Sequence, residues 1–216
     1  MTLAEPADGS AFAWFGTVLS LNLDEDTERW NRAVDRYEIL GIETFVRRYS
    51  AVPTPENHHI GCALSWRGMV QLAHDEGRPR FLGLEDDAVF HRGIREYLPS
   101  ATTLLDGLDW DLFFLGCVSP PPEPGETVLQ SLHTATTTHA LAINHSAYAR
   151  ILAEVPDQRD AIEAFLSDHA GIDQYFARKI RAGELRAYAA IPHLASQPAL
   201  LNYDNADLAI AADLTI

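Results

Sequence analysis

Basic side chains are scarce in this sequence. Lys and Arg together number 16 against 31 Asp and Glu, which leaves a net charge of −15 with neutral histidines. A surface that negative repels phosphate backbones, so nucleic acid is excluded as a general partner. A ligand that carries phosphate needs local help to dock, from a cation or from backbone N–H groups. Cysteine is nearly absent too: Cys62 and Cys117 are the only 2. A pair of thiols makes no disulfide framework in a chain of 216 residues, and their apolar neighbours predict buried free thiols. No run approaches ~18 consecutive apolar residues, so no membrane-spanning helix is expected. Met1 to Ser10 hold acids and a proline rather than a basic stretch leading into an apolar one. No secretory signal is read there, and a cytoplasmic location is expected. With no internal repeat and no linker, 1–216 reads as one domain, its first segment, 1–12, flexible.

What is present is an ordinary globular balance, 47% apolar and 22% charged, in a chain long enough for one substantial core. A β-rich apolar run over 14–21 leads, past Asp24-Glu25-Asp26, to a helix from Thr27. Trp30, Val34, Tyr37 and Leu40 share one face of it, and Gly41 is placed to end it. The three acids suit the N-terminal cap and dipole of that helix. A short strand over 44–49 follows. Ala63, Trp66, Val70 and Ala73 mark a second helical face, closed by Gly77 and Pro79. Strands are read at 80–84, 112–115, 141–144 and 185–190, and helices at 146–154 and 173–180. The stretch Ser119-Pro120-Pro121-Pro122-Glu123-Pro124-Gly125 cannot be regular structure, because proline removes donors and fixes φ. It reads as an exposed loop, either a lid or a tolerated insertion. The alternation defines an α/β fold class: a mainly parallel twisted sheet with helices on both faces.

One motif stands out chemically. Glu85-Asp86-Asp87 follows Phe81-Leu82-Gly83-Leu84 directly, and Ala88-Val89-Phe90 resumes the apolar pattern. Adjacent carboxylates between buried residues repel one another and are costly to desolvate unless a cation compensates them. Strand alternation sends Glu85 and Asp87 one way and Asp86 the other. Hard divalent cations such as Mn²⁺ or Mg²⁺ prefer such oxygen ligands, and the carboxyl ends of strands in open α/β sheets are where ligands bind. A solvated acidic turn is the other reading of the triplet alone.

Four segments carry a resemblance. They are Val18-Leu19-Ser20-Leu21-Asn22-Leu23 with Arg29, Arg32 and Leu40-Gly41-Ile42; Gly61-Cys62-Ala63-Leu64-Ser65; Leu84-Glu85-Asp86-Asp87-Ala88 with Asp109-Trp110-Asp111 and Leu115-Gly116; and Thr138-His139-Ala140-Leu141-Ala142-Ile143 with Asp173 beyond. In this order they resemble glycosyltransferase family 25, the lipopolysaccharide-type galactosyltransferases and their collagen-modifying relatives. The resemblance implies a GT-A fold of nucleotide-sandwich type and a place in lipopolysaccharide biosynthesis. It also implies a UDP-sugar donor, typically UDP-galactose, a divalent Mn²⁺ or Mg²⁺, and a glycan or small-molecule acceptor. By the same carry-over, Asp87 and Glu85 are metal ligands, with His193 completing the set. Asn22, Leu23, Arg29, Ser65, Glu85 and Asp86 hold the donor. Asp173, with Asp168 second, is the base of an inverting transfer. Gln197 matches a glutamine of the family's C-terminal stretch. The chain departs from the pattern at Trp66, where the family carries histidine; an aromatic there packs or stacks on a sugar ring. Two other classes stay open: a silent nucleotide- or glycan-binding module of this fold, and a metal-dependent nucleotidyltransferase or phosphohydrolase.

Overall fold

The alternation of strand and helix is realised in a computed structural model that describes residues 10–198. Helix α1 (Ser10–Ala13) leads into β1 (Val18–Asn22), α2 (Thr27–Ile39) and β2 (Val46–Ser50), and α3 (His58–Asp75) returns the chain to β3 (Arg80–Glu85). After β4 (Val89–Phe90) and α4 (Ile94–Leu105) come β5 (Leu112–Phe114), β6 (Leu129–Leu132) and β7 (Ala140–Asn144). Helices α5 (His145–Glu154), α6 (Arg159–His169) and α7 (Ile172–Arg181) precede β8 (Ala187–Ala190) and β9 (Ala195–Ser196).

A 7-stranded sheet with the order β2-β1-β3-β7-β5-β8-β6 forms the centre. β1 is parallel to β2 and β3, and β5 is parallel to β8. Only β7 and β6 run against their neighbours, so the sheet is mainly parallel. Alternate strand residues serve opposite faces, as the pleat requires. Leu19, Leu21, Phe81, Leu141 and Ile143 pack under α3, α5, α6 and α7, while Val18, Leu82, Leu84, Ala140 and Ala142 pack under α1, α2 and α4. Both faces are thus sealed. A second sheet, β4 with antiparallel β9, clasps the C-terminal part of the chain against the residues that follow the acidic triplet.

Several expectations shift. The first strand starts at Val18, because the chain turns at Gly16 with φ +70 and Trp14 leaves the sheet to stack on Trp110, ring centroids 5.5 Å apart. Of the segment 1–12 expected to be loose, 1–9 lie outside the described residues, and Phe12 is packed in the core beneath α4. The sequence reading passes over α4, whose Pro99 and threonines mask an apolar stripe of Ile94, Leu98, Ala101 and Leu105. It also passes over α6, β6 and the two strands of the clasp. The proline-rich loop is pinned: Gln130 Nε2 donates to Pro120 O at 2.7 Å, and Glu126 accepts from the Glu123 and Ser131 amides. No helix among the described residues is long and apolar enough to cross a membrane.

Candidate functional site

The carboxyl ends of β1 and β3 lie side by side, with Leu21 level with Glu85. Beside them opens a cavity of about 440 Å³. Asn22, Leu23, Arg29, Ser65, Glu85 and Asp86 all line it, so the residues assigned to the donor come together around one space. Pro53, Thr54 and Pro55, from the connection into α3, and His58 at the start of α3 also line it. Asp26 fixes the entry of α2, its side chain accepting from the Arg29 amide at 3.0 Å. That cap aims the first turn of the helix, and with it Arg29, at the triplet.

The three acids part company as the pleat ends. Glu85 closes β3, and Asp86 and Asp87 enter a turn in which the Ala88 amide donates back to Glu85 O at 3.0 Å. Glu85 faces α3. Its Oε1 accepts from the Thr138 hydroxyl at 2.7 Å and its Oε2 from Gln197 Nε2 at 2.9 Å. Desolvation pushes its carboxyl up to about 7, opposed by the Thr138 hydrogen bond and reinforced by the charge of Asp87. The Trp66 indole N–H also favours the ionised form, though its geometry falls short of a hydrogen bond. Asp86 faces α2 and is buried; its oxygens take Asn22 Nδ2 at 2.5 Å and Arg29 Nη2 at 2.5 Å. Burial raises the Asp86 pKa, against the Asn22 hydrogen bond and the Arg29 charge. Asp87 lies between the two, 3.4 Å from Arg29 Nη2 and 3.5 Å from Gln197 Nε2.

Among the described residues, no group of three or more His, Cys, Asp or Glu side chains converges to hold a metal ion. The described side chains alone therefore form no metal cage. An ion held by one or two carboxylates and completed by phosphate and water, the usual manner for Mg²⁺ beside nucleotides, asks only for carboxylate oxygens of the kind that Asp87 and Glu85 carry. His193 is not part of any such cluster; its charge is felt by the buried His139, and burial lowers the pKa of both rings.

Asp173 sits in the first turn of α7 and is not among the residues that line the cavity. Its Oδ2 accepts from the Thr137 amide at 3.3 Å, one residue before the Thr138 that holds Glu85. The Cys62 thiol, a cavity-lining group, feels both Glu85 and Asp173, and burial with those charges drives its pKa well up. By exposed surface Cys62 is only partly buried, contrary to expectation, since the residue opens onto the cavity while its thiol is shielded; Cys117 is buried as read. Asp168 lies exposed on α6. Arg32 pairs with Glu28 on the surface at 2.5 Å, and His74 with Asp75 at 3.1 Å. Trp66 is core: it is 1% exposed, and its ring presses on Gly83, where an added Cβ would meet it at 2.5 Å. It is not free to stack on a sugar.

Sequence reasoning missed Thr138 as a partner of Glu85. It also missed Arg36, which donates to Asp86 O at 2.5 Å, and Arg48, which donates through Nε to Asn22 Oδ1 at 3.1 Å. The signal for Arg48 was its place in β2, level with Ser20 of β1. Gln197, quoted from the sequence without a role, reaches the triplet because the β4–β9 clasp carries it there.

No family model matches the chain, and no curated protein sequence matches it. Similar solved structures include the glycosyltransferase involved in the glycosylation of the major capsid of PBCV-1, at 11% identity and a TM-score of 0.43, over 81% of this chain and 91% of that one. A197 from STIV is 14% identical, with a TM-score of 0.46, over 80% of each chain. Mannose-1-phosphate geranyltransferase from Thermus thermophilus is 13% identical, with a TM-score of 0.43, over 81% of this chain and 72% of that one. Likeness at this level says nothing about chemistry.

Proposed function

We propose that the chain is a cytoplasmic glycosyltransferase that moves a hexose, galactose in the first instance, from a UDP-sugar to an acceptor hydroxyl with inversion. The observation that carries the reading is the cavity where β1 and β3 end, with arginine and carboxylates interleaved along its wall. Arg29 supplies positive charge for a diphosphate in a protein that is otherwise strongly negative. Asp86, held by Asn22 and Arg29, offers fixed acceptor oxygens to ribose or sugar hydroxyls. Asp87 and Glu85 are the residues that would hold Mn²⁺ or Mg²⁺, which when bound supplies Lewis-acid stabilisation of the departing diphosphate. Asp173 takes the proton of the attacking hydroxyl, work that needs a carboxylate ionised at neutral pH.

Incubation with UDP-galactose, other UDP- and GDP-sugars and Mn²⁺ tests this. Slow release of UDP is the expected result, with Asp173→Asn abolishing turnover while UDP affinity stays within about twofold. Release of sugar phosphate would instead indicate a phosphohydrolase. Binding without turnover would indicate a silent module. Failure to bind UDP at millimolar concentration would remove the nucleotide reading altogether.

A further inference from the structure

Three features around Asp173 have no explanation in folding alone. Thr137 adopts φ +71, the left-handed region that a β-branched side chain avoids. Its hydroxyl is buried without a hydrogen-bond partner, so the conformation is not repaid at the side chain. What the conformation does achieve is at the backbone, where the Thr137 amide donates to Asp173 Oδ2 at 3.3 Å. The next residue sends its hydroxyl to Glu85 Oε1 at 2.7 Å, and the one after accepts the Glu85 amide at 2.9 Å. One short corner therefore grips two carboxylates that come from distant parts of the chain.

The third feature is Gly171, the N-cap of α7. Its φ of −173 is extended backbone open to any residue, so conformation does not require glycine. Space does: a Cβ at Gly171 would sit 2.6 Å from Asp173 Oδ1 and 3.7 Å from His59 Nδ1. The missing methyl leaves room for the Asp173 carboxylate where it stands.

We infer that Thr137, Thr138 and Gly171 are positioning residues, which hold the Asp173 carboxylate in a fixed relation to Glu85, itself a lining residue of the cavity. The inference rests on the reading of Asp173 as the proton acceptor. Displacing a reacting group by about 1 Å can cost on the order of a hundredfold in rate, so small changes at these sites register in turnover rather than in folding.

The experiment compares Gly171→Ala, Thr138→Val and Thr138→Ser with the full chain, using UDP-galactose and Mn²⁺. Expected are a fall in kcat of roughly tenfold or more in Gly171→Ala and Thr138→Val, with KM for the donor and the melting temperature little changed, and recovery in Thr138→Ser to within about threefold. In parallel, the Thr137 amide resonance should move in Gly171→Ala and in Asp173→Asn, a readout independent of any substrate. Wild-type kcat in both Gly171→Ala and Thr138→Val, with Asp173→Asn inactive, overturns the inference and spares the base assignment. Normal turnover in Asp173→Asn overturns the base assignment and with it the inference. An unmoved Thr137 amide in Asp173→Asn removes the geometric link. If Thr138→Val does not fold, Gly171→Ala and the amide shift still decide.

Discussion

Arg29 is the residue on which the electrostatics of the cavity turn. Its guanidinium, 2.5 Å from Asp86 and 3.4 Å from Asp87, is the positive charge that opposes the desolvation of Asp86 at this sheet end. Arg29→Ala is expected to lower UDP affinity about tenfold or more, and Arg29→Lys to restore only part, because an ammonium lacks the planar fork that spans two acceptors. Isothermal titration with UDP checks both. Thr137 makes the opposite kind of prediction. Glycine holds a positive φ without that strain and keeps the backbone amide, so Thr137→Gly should raise the melting temperature and leave turnover largely intact. At this scale the sequence was informative about the triplet and about Arg29, since both sit on one local signal, a strand end or a helix start. It was silent about the partners of Thr138 and Gln197, which lie 53 and 112 positions away. No local pattern encodes such pairings.

Elements were legible where their periodicity was clean. α2, α3 and α7 carry continuous apolar faces and recognisable starts, and the buried strands β1, β3 and β7 are short apolar runs. Where an element breaks its own propensity rules, tertiary burial decides instead: α4 keeps Pro99 inside it because Leu98, Ala101 and Leu105 are sealed against the sheet. The junction of α6 and α7 shows a residual conflict. Ala170 caps α6 in the left-handed region with φ +63, a place where glycine is favoured. Ala170→Gly is expected to stabilise the protein by about 1 kcal/mol, measurable as a shift of the urea midpoint with an unchanged slope. Gly83, within β3, predicts the reverse sense. An alanine there would drive into the Trp66 ring, at a cost of roughly 1–3 kcal/mol for an overpacked core.

For the molecule as a whole, two desolvated groups, the half-buried Glu85 and the buried His139, pull the pH dependence of stability in opposite directions. The Glu85 carboxyl, pushed up from 4.5 to about 7 by burial, binds more protons folded than unfolded, so its contribution falls as pH rises through that interval. His139, pushed down from 6.5 to about 4 by burial, binds more protons unfolded, so its contribution grows as pH rises from 4 to 6.5. Asp86 adds to the first trend and His193 to the second. The wild-type protein should therefore show a shallow profile between about pH 5 and 6.5. Glu85→Gln should tilt it upward with pH, and His139→Gln downward, as read from denaturation midpoints. Neither tendency was visible in the sequence, because both depend on how deeply the sheet and the β4–β9 clasp enclose the groups.

The reversal of β7 has a practical corollary for anyone who wishes to modify the protein. Because that strand enters the sheet from the cavity edge, the connection ahead of it belongs to the same rim as the ends of β1 and β3, and the connection behind it belongs to the other. Tags, dyes or surface tethers attached at the turn after α7, around Gly183 with its φ of +70, would sit on the quiet rim and leave the mouth of the cavity open. The same attachment in the segment leading into Thr137 would obstruct it.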